Sequence, residues 1–204
     1  MNPDEIRAVV AADRDPIVAM MTRAFHDDPG AMIVEPEESL RDAAMNALFH
    51  QFVTASLTEA TATHVTGSPA GGVAFWYGPA AYGPSPAGLM AAATAPGAPA
   101  LTEVALNRFI PMAAKLEALH DRLMAGQSHL RCTFLAVEPA VQGHGVGGRL
   151  LAAGSAIADA RGLPVYLETF TPANVRFYER HGYRVIEAFR VPSTAYSVCA
   201  MRRG

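Results

Sequence analysis

Apolar and polar positions along this chain repeat with two periods, and the switches between them mark its elements. Residues 6–10 read as a short first strand. Asp15-Pro16 reads as a helix start, with the carboxylate as cap and proline at the first helical position. That helix runs to about Phe25 and stops at the turn cluster Asp27-Asp28-Pro29-Gly30. A second helix is predicted over residues 37–57, with Leu40, Ala43, Ala44, Ala47, Leu48, Gln51, Phe52 and Ala55 on its inner face. Residues 61–66 and 72–77 read as two strands of a hairpin turning at 67–71. Residues 78–100 are crowded with Pro, Gly and Ala, which predicts a long loop with one helical turn near Leu89, either a lid or a solvated connector.

The second half is more regular. Residues 102–124 predict a long helix kinked at Pro111, and residues 130–137 a buried strand. A glycine-rich segment follows, then a helix over 149–161 with Leu150, Leu151, Gly154, Ile157, Ala158 and Arg161 at helical spacing. Residues 165–168 read as a strand, Thr171-Pro172 as a helix start and His181-Gly182 as its end. Residues 183–189 and 196–201 close the chain as strands. There is no internal repeat. This order predicts an α/β protein with a mixed sheet covered by helices.

At 204 residues the chain fits one domain, and half of it is hydrophobic, enough for a substantial core. A net charge of −3 and no basic run longer than Arg202-Arg203 point away from a nucleic-acid partner. No apolar run reaches the roughly 18 residues of a membrane span. The first five residues, Met-Asn-Pro-Asp-Glu, carry no secretory pattern, so a cytoplasmic location is expected. Cys132 and Cys199 lie in apolar runs and read as free thiols acting as small hydrophobes.

The chemistry concentrates in Gln142-Gly-His-Gly-Val-Gly-Gly148. A glycine-rich bend that opens a helix aims several unpaired amides in one direction, where the helix dipole adds partial positive charge. That combination holds phosphate or pyrophosphate. Two templates fit. Gly143, Gly145 and Gly148 match the dinucleotide pattern G-x-G-x-x-G, with Glu168 placed as the ribose-binding acid. Against it, Glu138-Pro-Ala-Val-Gln142 separates strand from glycines, and the remaining chain is too short for a full doubly wound sheet. Gln142, Gly145 and Gly147 match Q-x-x-G-x-G instead.

With Leu135-Ala-Val-Glu-Pro139 before it and Arg149-Leu-Leu151 after it, this stretch resembles the acetyl-CoA motif of the GNAT superfamily of N-acetyltransferases. Tyr166-Leu-Glu-Thr169 and the run Asn174 to Tyr183 resemble that superfamily's next two elements. The resemblance is strongest over 130–190. The layout of the N-terminal half and Ala74-Phe-Trp-Tyr77 are similar, more weakly, to the puromycin N-acetyltransferase type.

The resemblance implies a GNAT-like acyl-CoA N-acyltransferase fold, with residues 1–128 as the acceptor-side half and 129–204 as the acetyl-CoA-binding half. It implies a transferase that moves an acetyl group to a small-molecule amine by direct attack. Gly143 to Gly148, with His144, Val146 and Arg149, would hold the CoA diphosphate. The edge of Leu135, Ala136 and Val137 would pair with the pantetheine arm, and a backbone N–H near Val137 would polarise the thioester carbonyl. Tyr178 would protonate the leaving thiolate, and Asn174, one helical turn before it, would bind a pantetheine or backbone group. Glu168 is the leading candidate for the base, beside backbone carbonyls and a water chain.

A cationic acceptor favours an acidic, aromatic pocket, for which Asp27, Asp28, Glu35, Trp76, Tyr77 and Tyr82 are candidates. The seven histidines include no His-x-x-x-His pair and there is no cysteine pair at metal spacing, so no metal centre is expected. A non-catalytic CoA-binding sensor and a dinucleotide oxidoreductase are the alternatives. Exposed apolar strand edges are compatible with a homodimer.

Overall fold

The computed structural model describes residues 5–66, 71–192 and 194–204. The predicted hairpin turn at 67–71 falls almost wholly outside the described residues, as do residues 1–4 of the N-terminus. Seven strands form one sheet: β1 (Ile6–Ala8), β2 (Ala62–Thr66), β3 (Gly72–Tyr77), β4 (Leu130–Val137), β5 (Val165–Thr169), β6 (Arg184–Arg190) and β7 (Ser197–Arg203). Their order is β1-β2-β3-β4-β5-β7-β6. Only β4 and β5 run parallel; every other neighbouring pair is antiparallel. This mixed sheet is not the parallel, doubly wound sheet that a dinucleotide fingerprint requires, so that template for the glycines is set aside.

The helices are α1 (Arg14–Phe25), α2 (Pro29–Val34), α3 (Glu38–Glu59), α4 (Pro86–Thr94), α5 (Glu103–Leu123), α6 (Val146–Ala160) and α7 (Pro172–Glu179). Alternation along β3 divides the core. Phe75 and Tyr77 pack with Ile17, Phe49, Phe52 and Val53 of α1 and α3. Ala74 and Trp76 pack on the other face with Leu150 and Leu151 of α6. A smaller cluster joins Leu119 and Met124, at the end of α5, to Tyr166 and Ala200.

Four local differences from the sequence reading have identifiable causes. Asp15 lies inside the first turn of α1; Asp13 stands at the cap position, but its carboxylate pairs with Arg7 and accepts from the Val10 amide. Pro29-Gly30 opens a short helix instead of continuing a turn, because Asp28 caps it by accepting from the Gly30 amide at 2.8 Å. In the Pro/Gly/Ala segment, Ser85 caps α4 and Pro86 stands in its first turn, while the Glu59 side chain accepts from the Ser85 hydroxyl at 2.9 Å. The buried arc of α3 includes the predicted Ala44, Ala47, Phe52 and Ala55 but also runs through Arg41, Met45, Phe49, Val53 and Ser56, leaving Leu40 and Ala43 exposed.

Two glycines let α6 lie flat on the sheet. A Cβ on Gly72 of β3 would come within 2.9 Å of Val146 and of the Ala136 carbonyl. A Cβ on Gly154 would overlap the Trp76 ring at 2.0 Å. The helix therefore starts directly above the end of β4.

Candidate active site

β4 pairs with β3 along its length, but with one irregularity. Phe75 faces Phe134 and Trp76 faces Cys132, so Thr133 is an extra residue in β4. The bulge reverses the parity of the strand. Leu130 and Cys132 face α6 before it, and Leu135 and Val137 face α6 after it. At the same place β4 parts from β5, whose pairing runs only through Leu130–Val165, Arg131–Tyr166 and Cys132–Leu167. From Thr133 onward the β5-side edge of β4 has no strand partner among the described residues, which opens a fork between the two strands.

The fork leads to the glycine bend. A short 3-10 turn, Pro139–Val141, and the Gln142 side chain, which donates to the Val137 carbonyl at 3.1 Å, carry the chain off the strand. Gly143 and Gly145 both sit at φ 79, the left-handed region, and Gly145 is the N-cap of α6. Residues Gln142 to Gly145 are exposed. A Cβ on Gly143 would meet nothing within 4 Å. The space beside Gly143 is open, and the backbone itself forms the surface there. The His144 ring bonds the Gln142 carbonyl at 2.9 Å and Arg149 donates to the His144 carbonyl, so both side chains brace the bend. A Cβ added at Gly147 would come within 3.5 Å of Phe177 of α7, and one at Gly148 within 3.0 Å of His181, just past that helix. Arg23 of α1 pins the end of β4 through a bidentate pair with Glu138, at 2.6 Å for the shorter contact.

Tyr178 sits on the inner face of α7, buried in the same cluster as Cys132 and Val137. Burial pushes its hydroxyl well above the ordinary phenol range, and the charge of Asp28 acts in the same direction. Asp28 stands at the N-cap of α2. Its carboxylate accepts from the Gly30 amide and, at 3.4 Å, from the Thr171 hydroxyl at the N-cap of α7. Burial raises the Asp28 carboxyl above the usual range, against the pull of those two donors. Asp28 is thus tied to the cap of the helix that carries Tyr178; Asn174 lies exposed in the first turn of α7, and Asp27 points outward.

The other predicted residues lie elsewhere. Trp76 is wholly buried beneath α6 against Gly154. Tyr77 is wholly buried on the opposite face, where its hydroxyl donates to Ser56 at 2.7 Å and burial pushes it up to about 12. Neither aromatic lines an acceptor pocket. Glu35 is buried, and its side chain accepts from the Glu37 amide. Tyr82 stacks on His129 at 3.9 Å, near the start of β4 and away from the fork.

Glu168 lies on the sheet face opposite Tyr178, beside Tyr166. Its carboxylate accepts from Arg131 at 2.9 Å, and Arg131 also binds Glu117 at 2.7 Å. Burial raises the Glu168 carboxyl and the Arg131 charge opposes that rise. Sequence reading missed Thr171 and Arg131 as partners, because both contacts join elements distant along the chain.

Residues 112–185 match the family model described as Acetyltransferase (GNAT) domain. A Corynebacterium glutamicum protein described as histone acetyltransferase HPA2 and related acetyltransferase superposes with a TM-score of 0.66 at 21% identity, over 97% of this chain and 94% of that one. The C-terminal condensation domain of Ebony, solved with beta-alanyl-dopamine, gives 0.68 at 8% identity, over 98% and 97%. An agmatine N-acetyltransferase mutant gives 0.59 at 16% identity, over 97% and 98%. The fold is therefore that of the GNAT acetyltransferases.

Proposed function

We propose that the chain is an acetyl-CoA-dependent N-acetyltransferase that acts on the amine of a small molecule by direct attack. The observation that carries this reading is the fork between β4 and β5, which opens at one end onto the exposed glycine bend and is flanked by buried Tyr178. Acetyl-CoA, when bound, supplies an acetyl group activated as a thioester.

The chain's residues divide the remaining work. The amides of 143–148 hold the diphosphate, assisted by the dipole of the fifteen-residue helix α6. Leu135, Ala136 and Val137 offer the free strand edge to the pantetheine amides. Asp28 attracts the acceptor ammonium and takes its proton, directly or through a water; a carboxyl raised by burial suits that task. The neutral amine would then form the new N–C bond as the C–S bond breaks, and the second proton of the nitrogen would pass by way of water to restore Tyr178. Tyr178, which burial keeps protonated, gives its proton to the departing thiolate. Glu168 is the weaker candidate for the base, since Arg131 occupies its carboxylate. The narrower likeness to the puromycin type rested partly on Trp76 and Tyr77, which are core side chains, so the acceptor is proposed only as a small amine.

Thermal-shift measurements with acetyl-CoA, CoA and NAD(H), followed by thiol release over an amine panel, test the reading. Stabilisation by acetyl-CoA and CoA with amine-dependent thiol release is expected, and both should vanish in Gly145→Glu. Stabilisation by NAD alone would overturn it. Stabilisation by CoA with no turnover on any amine would leave a sensor.

A further inference from the structure

Arg41 stands in the first turn of α3 and is buried. Its guanidinium donates to three main-chain carbonyls: Nε to Glu35 at 2.9 Å, Nη1 to His26 at 3.3 Å and Nη2 to Pro36 at 2.9 Å. His26 is the C-cap of α1 and Glu35 the C-cap of α2. Carbonyls at helix C-termini lack intrahelical partners and carry partial negative charge, so a cation suits both ends. Residues 26–36 thus form a loop whose two ends meet on a single guanidinium. Asp28 lies on that loop, at the N-cap of α2.

The other holds on this loop are weaker. The contact of Asp28 with the Thr171 hydroxyl, at 3.4 Å, is long for such a donor and does not fix the carboxylate by itself. The Gly30 amide that Asp28 accepts belongs to the same loop and moves with it. The Tyr196 hydroxyl donates to the Met32 sulfur at 3.0 Å, and a thioether is a weak acceptor. Asp42 lies 2.7 Å from Nδ1 of His26, but its side chain is 62% exposed, where an ion pair contributes little. Arg41 is buried and grips both ends of the loop through one rigid, planar fork. Among the described residues its hydrogen bonds all go to main-chain carbonyls, so this cation fixes the course of the chain.

We propose that Arg41 is a positioning residue for acetyl transfer: it locks the loop 26–36 in the form that presents the Asp28 carboxylate to the acceptor amine. The inference rests on the reading of Asp28 as the base. Arg41 acts through Asp28 alone, so its removal should harm the amine side of the reaction and spare the cofactor side. A displacement of the base by about 1 Å is enough to cost a large factor in rate.

The test is a double-mutant cycle on the full chain, read by thiol release with amine and acetyl-CoA varied in turn, beside the thermal shift given by CoA. Arg41→Met should keep the CoA thermal shift and the KM for acetyl-CoA, and lower kcat/KM for the amine about 10- to 100-fold. In the Asp28→Asn background the same change should cost almost nothing further, because the group it positions is gone. Asp42→Ala, which removes the exposed hold on His26, should change turnover less than about 3-fold. Should Arg41→Met not fold, Arg41→Lys carries the same cycle: one ammonium cannot span three carbonyls, so the loss should be smaller but equally absent without the Asp28 carboxylate. Amine turnover equal to the parent's in the arginine variant would overturn the inference, as would losses that simply add in the double variant. A harmless Asp28→Asn would instead remove the reading of Asp28 as the base, and this inference with it.

Discussion

Thr171 donates its hydroxyl to the Asp28 carboxylate at 3.4 Å across 143 positions of sequence. This bond joins the loop that opens α2 to the cap of α7, the helix that carries Tyr178. Asp28→Asn should keep the α2 cap, because asparagine caps as well as aspartate. It should lower kcat/KM for amines about 100-fold with little change in CoA affinity. In the parent protein kcat/KM should fall as pH drops through the raised Asp28 value, and that acid limb should vanish in the variant. For stability the sign is opposite. A carboxyl raised in the folded state favours folding when protonated, and its ionisation costs the fold as pH rises. Asp28→Asn should therefore melt higher than the parent at neutral pH and lose that advantage in acid. A calorimetric pH series checks it.

Tyr178→Phe keeps the ring that packs in the α6-side core and removes only the hydroxyl. It should retain the CoA-induced thermal shift and lose about 100-fold in turnover. Equal turnover in both proteins, measured by thiol release at saturating amine, would remove Tyr178 from the acid role.

Glu168 separates a structural carboxylate from a catalytic one. Glu168→Gln leaves Arg131 buried with only Glu117 as an ionic partner, and should cost about 3–5 kcal/mol in urea unfolding. Arg131→Met with Glu168→Leu should recover most of that loss. Turnover retained in the double variant would assign the base to Asp28; turnover abolished in a folded double variant would return it to Glu168.

Gly154→Ala drives a methyl into the Trp76 ring and should destabilise by about 1–3 kcal/mol. Trp76→Phe in that background should restore about 1 kcal/mol relative to the sum of the single changes. Denaturant midpoints of the four proteins form the cycle.

The elements with one strong period were legible in the chain itself. β4, α6 and α7, with the glycine bend between, stand within a few residues of where apolar spacing and capping residues place them. α4 was legible only as one helical turn near Leu89; its cap at Ser85 is held by Glu59 arriving from another helix, which local sequence does not show. The aromatics of β3 misled for a related reason. Trp76 and Tyr77 have the chemistry of a cation pocket, but consecutive strand residues face opposite sides, and both sides of this sheet are covered. The bulge at Thr133 leaves no clear mark in the run Leu130-Arg-Cys-Thr-Phe-Leu-Ala-Val137, yet it decides which residues of β4 look toward α6.

That single extra residue has a mechanical consequence. Among the described residues, the first four strands are stitched to the last three within the sheet by the pairs at 130–132 alone. Whatever fills the gap beyond them acts as a keystone. Proteases and solvent deuterium should reach that edge first, and, on the proposed reading, nucleotide grip and tertiary cohesion should rise and fall together.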